Sequence, residues 1–174
     1  MPSVRTRFAP SPTGYLHVGG LRTALYNYLF ARHQQGQLVL RIEDTDRTRF
    51  VEDATENLIK TLPIMGIQYD EGPDKGGPYG PYLQSQRTEL YQRYAQLLIE
   101  KGEAYYCFCT TERLEKMRKS QEAANQQPRY DGICRNLSAA EIKQNLGAGI
   151  PRVIRLKMPQ SGETRFNDLI RGEV

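Results

Sequence analysis

The chain has 174 residues, 39% apolar and 25% charged, the balance of a folded globular protein; a disordered or fibrous chain is excluded. Lysine and arginine outnumber acidic residues 24 to 20, a surplus that permits a nucleotide or nucleic-acid partner and equally suits an ordinary solvated surface. No apolar run reaches membrane-spanning length and the opening MPSVRTRF lacks the apolar block of a secretion signal, so a cytoplasmic chain is expected, with its three cysteines reduced or metal-bound.

In chain order, Val4–Ala9 (VRTRFA) alternates as a short strand. Pro10–Gly14 (PSPTG) cannot continue it, because proline lacks the ladder donor, and is a turn. From Leu16 the apolar residues Leu21, Ala24, Leu25, Tyr28 and Leu29 form a helical stripe, which Gly36 is expected to stop. Leu38–Ile42 (LVLRI) reads as a buried strand. Strand, turn, helix and strand make a βαβ unit with a parallel sheet.

Glu43–Arg49 (EDTDRTR) follows that second strand. A second helix is expected on Val51, Ala54, Leu58, Leu62 and Met65, ended or kinked by Pro63. Gly72–Pro81 is rich enough in glycine and proline to be loop, and Ser85 opens a third helix on Leu90, Tyr94, Leu97 and Leu98 that ends by Gly102. Beyond about residue 105 the character changes. Aromatic residues surround Cys107 and Cys109, Thr111 to about Asn125 is a charged helix, and Arg129–Asn136 is irregular. Ser138-Ala-Ala-Glu141 is a capping box, and Arg152–Met158 alternates as a strand that Thr164–Ile170 is expected to pair with.

Ligands of open parallel sheets sit outside the carboxyl ends of the strands, where PSPTG and the helix start near His17 fall. Free N–H groups there attract phosphate. Ser11 and Thr13 offer hydroxyls, Gly19 and Gly20 allow close approach, and His17 can hold a phosphate oxygen. Neither GxxxxGK[ST] nor GxGxxG occurs. Taken alone, the same residues also fit a surface turn and a helix start with no ligand.

The strings FAPSPTGYLHVGG and LRIEDTDR, with YDEGPDKGGPYGPYLQSQR and YYCFCT further on, resemble the glutamyl-tRNA synthetases, class I aminoacyl-tRNA synthetases. His17-Val18-Gly19-Gly20 is similar to the first signature of that class, His-Ile-Gly-His, with glycine in the last place. The resemblance runs from Arg5 to the end of the chain. It implies an α/β fold: a Rossmann-like parallel sheet, the first half of a class I catalytic domain, over residues 1–105, followed by the start of an inserted α+β acceptor-binding domain over 106–174. It implies ATP with Mg²⁺ against Ala9, Pro10, Ser11, Thr13 and His17, with room for adenosine at Gly19 and Gly20. Arg7 is expected to take the side-chain carboxylate of glutamate, a role a guanidinium fork suits, and Glu43 its ammonium group. Without a ligand, Arg7 would be a surface ion pair with Glu43 or Asp44. Arg47 and Arg49 are candidates for the acceptor end of tRNA(Glu), or a solvated charged face.

The implied reaction joins glutamate to ATP as glutamyl-adenylate and passes the glutamyl group to the tRNA 3′ end, by positioning and charge stabilisation without a covalent enzyme intermediate. Some members of the resembled family carry zinc in the cysteine region, on a C-x-C pair, a third cysteine and a histidine two residues later. Asn136 stands in that last place, leaving Tyr130 as the nearest replacement. Two readings stay open: zinc on Cys107, Cys109, Tyr130 and Cys134, or three reduced, partly buried thiols.

The second signature of class I synthetases, a Lys-Met-Ser-Lys-Ser-like loop, has no counterpart; KMRKS at Lys116–Ser120 comes too early in the fold. An N-terminal piece of a longer protein, with little or no aminoacylation activity alone, is expected. The alternatives are the shortened relative that glutamylates a base of aspartate tRNA, a glutaminyl enzyme, and a non-catalytic tRNA- or partner-binding module.

Overall fold

The computed structural model describes residues 4–168 and 170–174. Strand β1 (Arg5–Phe8) pairs in parallel with β2 (Gln37–Leu40), with Arg7 beside Val39 and Phe8 beside Leu40. Helix α1 (Val18–His33) crosses between them, as the βαβ pattern requires. The ladder runs on past both strands: Arg41 N–H donates to Phe8 O at 3.0 Å and Glu43 N–H to Pro10 O at 2.9 Å. On its other edge β2 and the extended residues after it receive two further parallel bridges, Val39 to Glu71 and Ile42 to Leu83.

Alternation along these strands sorts the side chains. Phe8, Leu38, Leu40 and Ile42 form the core with Ala24 and Ala31 of α1, Leu58 and Leu62 of α2 (Ala54–Ile64), Ile67 and Tyr69. Burial of each large side chain contributes about 1.5–3 kcal/mol. Arg5, Arg7, Val39 and Arg41 fall on the opposite face.

Three details of α1 and α2 differ from the sequence pattern. Leu25 and Leu29 are exposed; the inward face is Leu21, Ala24, Tyr28 and Ala31, whose spacing follows one stripe while Leu25 and Leu29 are rotated off it. Past the end of α1 it is Gln35, not Gly36, that takes the left-handed region (φ 52°). Gly36 is needed because a Cβ there would run into the Val4 carbonyl. Pro63 stands one residue before the end of α2, and Met65 beyond it faces out. Ser85 lies in a 3₁₀ turn, Gln84–Arg87, and α3 (Thr88–Glu100) starts only afterwards.

The chain divides into two compact units, the first ending at Tyr91 and the second running from Gln92 to Val174. In the second, β3 (Ala104–Cys107) pairs antiparallel with β4 (Val153–Leu156), Tyr105 beside Arg155 and Cys107 beside Val153. Here the sequence expectation is corrected. Thr164–Ile170 does not partner β4. Instead β5 (Asn167–Asp168) pairs with β6 (Gly172–Glu173), and Leu169 lies outside the described residues. The partner of β4 is the aromatic run before the cysteines, which the alternation test missed because Ala104–Cys107 is apolar on both faces.

Helix α4 (Thr111–Ala123) is capped by Thr110, whose hydroxyl accepts from Arg113 N–H. Helix α5 (Ala139–Gly147) has the predicted capping box, Ser138 with Glu141. Among the described residues no helix is long and apolar enough to cross a membrane.

Candidate functional site

After Phe8 the chain turns through Ala9–Gly14 before α1 begins. Prolines at 10 and 12 leave carbonyls free to accept from neighbours, and Val51 N–H donates to Pro12 O at 2.9 Å while Glu43 N–H holds Pro10 O. The bend is therefore tied to the end of β2 and to the approach to α2. A hollow of about 350 Å³ opens against it, lined by Pro10, Ser11, Thr13, Tyr15, His17 and Gly20 among others. Ser11 and Thr13 are exposed, and among the described residues neither hydroxyl has a protein partner.

His17 is the N-cap of α1, and its Nδ1 accepts from Gly19 N–H at 3.1 Å. A ring nitrogen that accepts carries no proton, so in the neutral form the proton is on Nε2, leaving that N–H to donate to a ligand. A Cβ at Gly19 would stand 2.9 Å from His17 Cε1 and one at Gly20 3.0 Å from Leu16 Cδ1, so these glycines make room for neighbouring side chains over the first turn. Of the sequence candidates, the hollow gathers Pro10, Ser11, Thr13, His17 and Gly20; Ala9 and Gly19 are chain neighbours of its lining residues.

Arg7 lies elsewhere, in a smaller hollow of about 220 Å³ on the arginine-bearing face of the sheet, with Arg5, Arg41, Tyr79, Tyr82 and Arg87. Its two neighbours on the sheet face are neutralised: Arg5 donates to buried Glu71 at 2.5 Å and Arg41 to Glu43 at 3.0 Å, whereas Arg87 donates to the Tyr79 and Pro81 carbonyls. Tyr82 also donates to Glu71. Among the described residues Arg7 has no hydrogen-bond or ion-pair partner, so the surface pairs with Glu43 or Asp44 do not form. Glu43 lines neither hollow. Asp44 is buried and accepts from Ser85 N–H at 2.8 Å and Ser85 Oγ–H at 2.6 Å. Burial would push its carboxyl up, but the Ser85 bonds outweigh that and hold it below the usual range. The Arg41 pairing was missed in the sequence, although residues 41 and 43 share one face of an extended segment. Arg49 pairs with Asp46 at 2.6 Å and Arg47 lies 5.6 Å over Phe50; both arginines are exposed.

The second unit carries the thiols. The Sγ atoms of Cys107, Cys109 and Cys134 all lie within 4.8 Å of one another, with Cys109 and Cys134 at 3.7 Å. The Tyr130 oxygen stands 3.3 Å from Cys107 Sγ and 3.4 Å from Cys109 Sγ. Zn–S near 2.3 Å and Zn–O near 2.0 Å in a tetrahedron put S···S at about 3.8 Å and S···O at about 3.5 Å, so this donor set fits a thiophilic divalent cation. Burial would raise the Cys107 thiol, but hydrogen bonds with Tyr130 and Arg155 bring it down to about 7; burial pushes Cys109 and Tyr130 up. Arg113 and Arg155, which flank the thiols, were also missed in the sequence. Arg113 Nη1 is 3.5 Å from Cys109 Sγ, and Arg155 lies 4.3 Å over the Tyr130 ring.

A helix carried between two parallel strands, with a hollow at its start, is the architecture of an α/β domain, and the model of the family "tRNA synthetases class I (E and Q), catalytic domain" matches residues 3–174. The chain belongs to that family, whose α/β catalytic-domain fold it has. It is similar to the glutamate–tRNA ligase of Clostridium acetobutylicum, 56% identical over 171 residues, or 98% of this chain and 35% of that protein. It is 55% identical to the ligase of Clostridium kluyveri, across all of this chain and 36% of the other. The glutamate–tRNA synthetase of Elizabethkingia anophelis superposes with a TM-score of 0.90 at 45% identity, over 99% of this chain and 36% of that one. A glutamate–tRNA ligase from Elizabethkingia meningosepticum in complex with its amino acid superposes with the same TM-score, identity and coverage. The chain spans about a third of the length of the curated relatives it matches.

Proposed function

We propose that this chain supplies the ATP- and glutamate-binding part of a glutamate–tRNA ligase, acting in the cytoplasm on glutamate, ATP and tRNA(Glu). The observation that carries the reading is Arg7: of three arginines on one sheet face, Glu71 and Glu43 neutralise two and leave the third to a carboxylate from outside. Ground-state neutrality then favours an acidic side chain over an amide. Glu43 has a second carboxylate oxygen for the substrate ammonium while the first holds Arg41.

ATP lies along the β1–α1 bend in this reading. Ser11, Thr13 and the Nε2–H of His17 donate to its phosphates, and Ala9, Pro10, Gly19 and Gly20 border the adenosine. The glutamate α-carboxylate attacks the α-phosphorus. The bond to the bridging oxygen breaks, and pyrophosphate leaves with that electron pair. The tRNA ribose hydroxyl then attacks the acyl carbon, the acyl–oxygen bond to the phosphate breaks, AMP leaves with that electron pair, and the hydroxyl proton passes to the leaving phosphate or to water. His17 stabilises charge growing on the phosphate oxygens. Mg²⁺ accompanies the ATP phosphates. Residues 1–105 form the first catalytic half and 106–174 the start of the inserted domain. Arg47 and Arg49 meet the acceptor end of the tRNA. Zinc is held by Cys107, Cys109, Tyr130 and Cys134, where it fixes the fold of the second unit.

Calorimetry with a non-hydrolysable glutamyl-adenylate analogue tests the proposal. Binding by the parent, weakened 10-fold or more in both Arg7→Ala and His17→Ala, is expected from charge-assisted bonds of about 1.5–3 kcal/mol each. Absence of binding in the parent would favour the non-catalytic module.

A further inference from the structure

We infer that Arg155 is the charge-balancing partner of the thiol site: laid over Tyr130, its guanidinium offsets the negative charge that three thiolates leave on a bound zinc, and so sets the affinity for the metal. The inference rests on the zinc reading above. Two positive charges on the ion against three thiolates leave one net negative charge, with Tyr130 as neutral phenol. An uncompensated charge in a half-buried place is costly.

Two guanidinium groups are near enough to supply the balance. Arg113 touches Cys109, but its charge is already met by Asp131 at 2.5 Å. Arg155 has no carboxylate partner among the described residues. Its Cζ is 4.3 Å from the Tyr130 centroid, and its Nε is enclosed without a hydrogen-bond partner. It stands opposite Tyr105 in the β3–β4 ladder, two places from the Cys107–Val153 pair, so Arg155 and Cys107 share a face of that ladder. Arg135 lines the same hollow of about 900 Å³ but donates to Met158 O at 2.7 Å. A stacking contact alone would stabilise the chain with or without metal. Charge balance counts most when three thiolates are gathered on the metal.

Competition against a chromophoric chelator gives the zinc dissociation constant of the purified chain. Arg155→Met is expected to weaken zinc by about 10- to 100-fold, the usual range for outer-sphere partners of metal ligands. Arg155→Lys, which keeps the charge, should recover most of the loss, and Arg135→Met should change nothing. Cobalt(II) loaded into Arg155→Met should keep the parent's sulfur-to-cobalt charge-transfer bands, showing that no ligand has been lost. Equal zinc affinity in Arg155→Met and parent overturns the assignment and leaves the zinc reading standing. So do an equal loss in Arg135→Met, a failure of lysine to rescue, or an altered cobalt spectrum. A parent that binds no zinc overturns both.

Discussion

Asp44→Ala gives the sharpest test of how the end of β2 is held. Asp44 is 8% exposed and its carboxylate takes two hydrogen bonds from one residue, Ser85, 41 positions on in the chain. A bond to a charged group is worth about 1.5–3 kcal/mol, and the truncation also strands the Ser85 N–H. Against this stands the relief of an ionised group removed from a buried place, so a net loss of about 2–3 kcal/mol is expected. For a unit of 60–100 residues that corresponds to roughly 10–20 °C in the melting of the first unit, followed by circular dichroism. Asp44→Asn separates charge from shape. The Asp44 carboxyl is held below its ordinary value of 3.8, so its contribution is complete above that value and is lost as pH falls through the folded-state value. The gap between parent and Asp44→Asn should therefore be widest at pH 6–7 and narrow below about pH 4. A loss under about 0.5 kcal/mol in the alanine variant, or a gap independent of pH, would refute the reasoning.

Gly19→Ala places a Cβ against the imidazole; alanine's better helix propensity offsets most of the lost cap, so melting should move little while the His17 ring proton shifts in NMR spectra change. An unchanged ring environment would contradict the cap geometry. In zinc-free protein, ultraviolet thiolate absorbance should show one group titrating near pH 7 that Cys107→Ser removes. Because the fold lowers this thiol, its stabilisation is complete above the ordinary thiol value and fades as pH falls through 7; a first thiol titrating above 8.5 would contradict this. Stripping zinc from loaded protein with a chelator should lower the melting of the second unit by the binding free energy, about 4 kcal/mol at a thousandfold excess over the dissociation constant. Identical melting curves would exclude a structural metal.

The βαβ unit was legible because its signals are local: proline stops a strand, and four apolar residues in five mark a buried one. The capping box at Ser138 was legible for the same reason, since two side chains three positions apart complete it. Pairings across long separations were not. Nothing in RVIRLKM says that β4 returns to Ala104–Cys107 rather than to the next segment, and both alternatives satisfy the same alternation. In the candidate site the residue types were readable and their partners were not. Arg7 stood out, but its freedom depends on Glu71 and Glu43 occupying Arg5 and Arg41, and the Arg5 partner lies 66 positions away in the chain. Tyr130 was named only as a substitute for a missing histidine, and its position over two thiols comes from the fold.

The ladder between β3 and β4 makes everything from Phe108 to Arg152 a single excursion that leaves and re-enters at the Cys107–Val153 rung. The three thiols sit at its neck, two on the outgoing limb and one inside the loop they close. An ion on Cys109 and Cys134, as proposed above, works as a drawstring: one ligand lies just before α4 and the other after it, so it ties the two ends of that segment together.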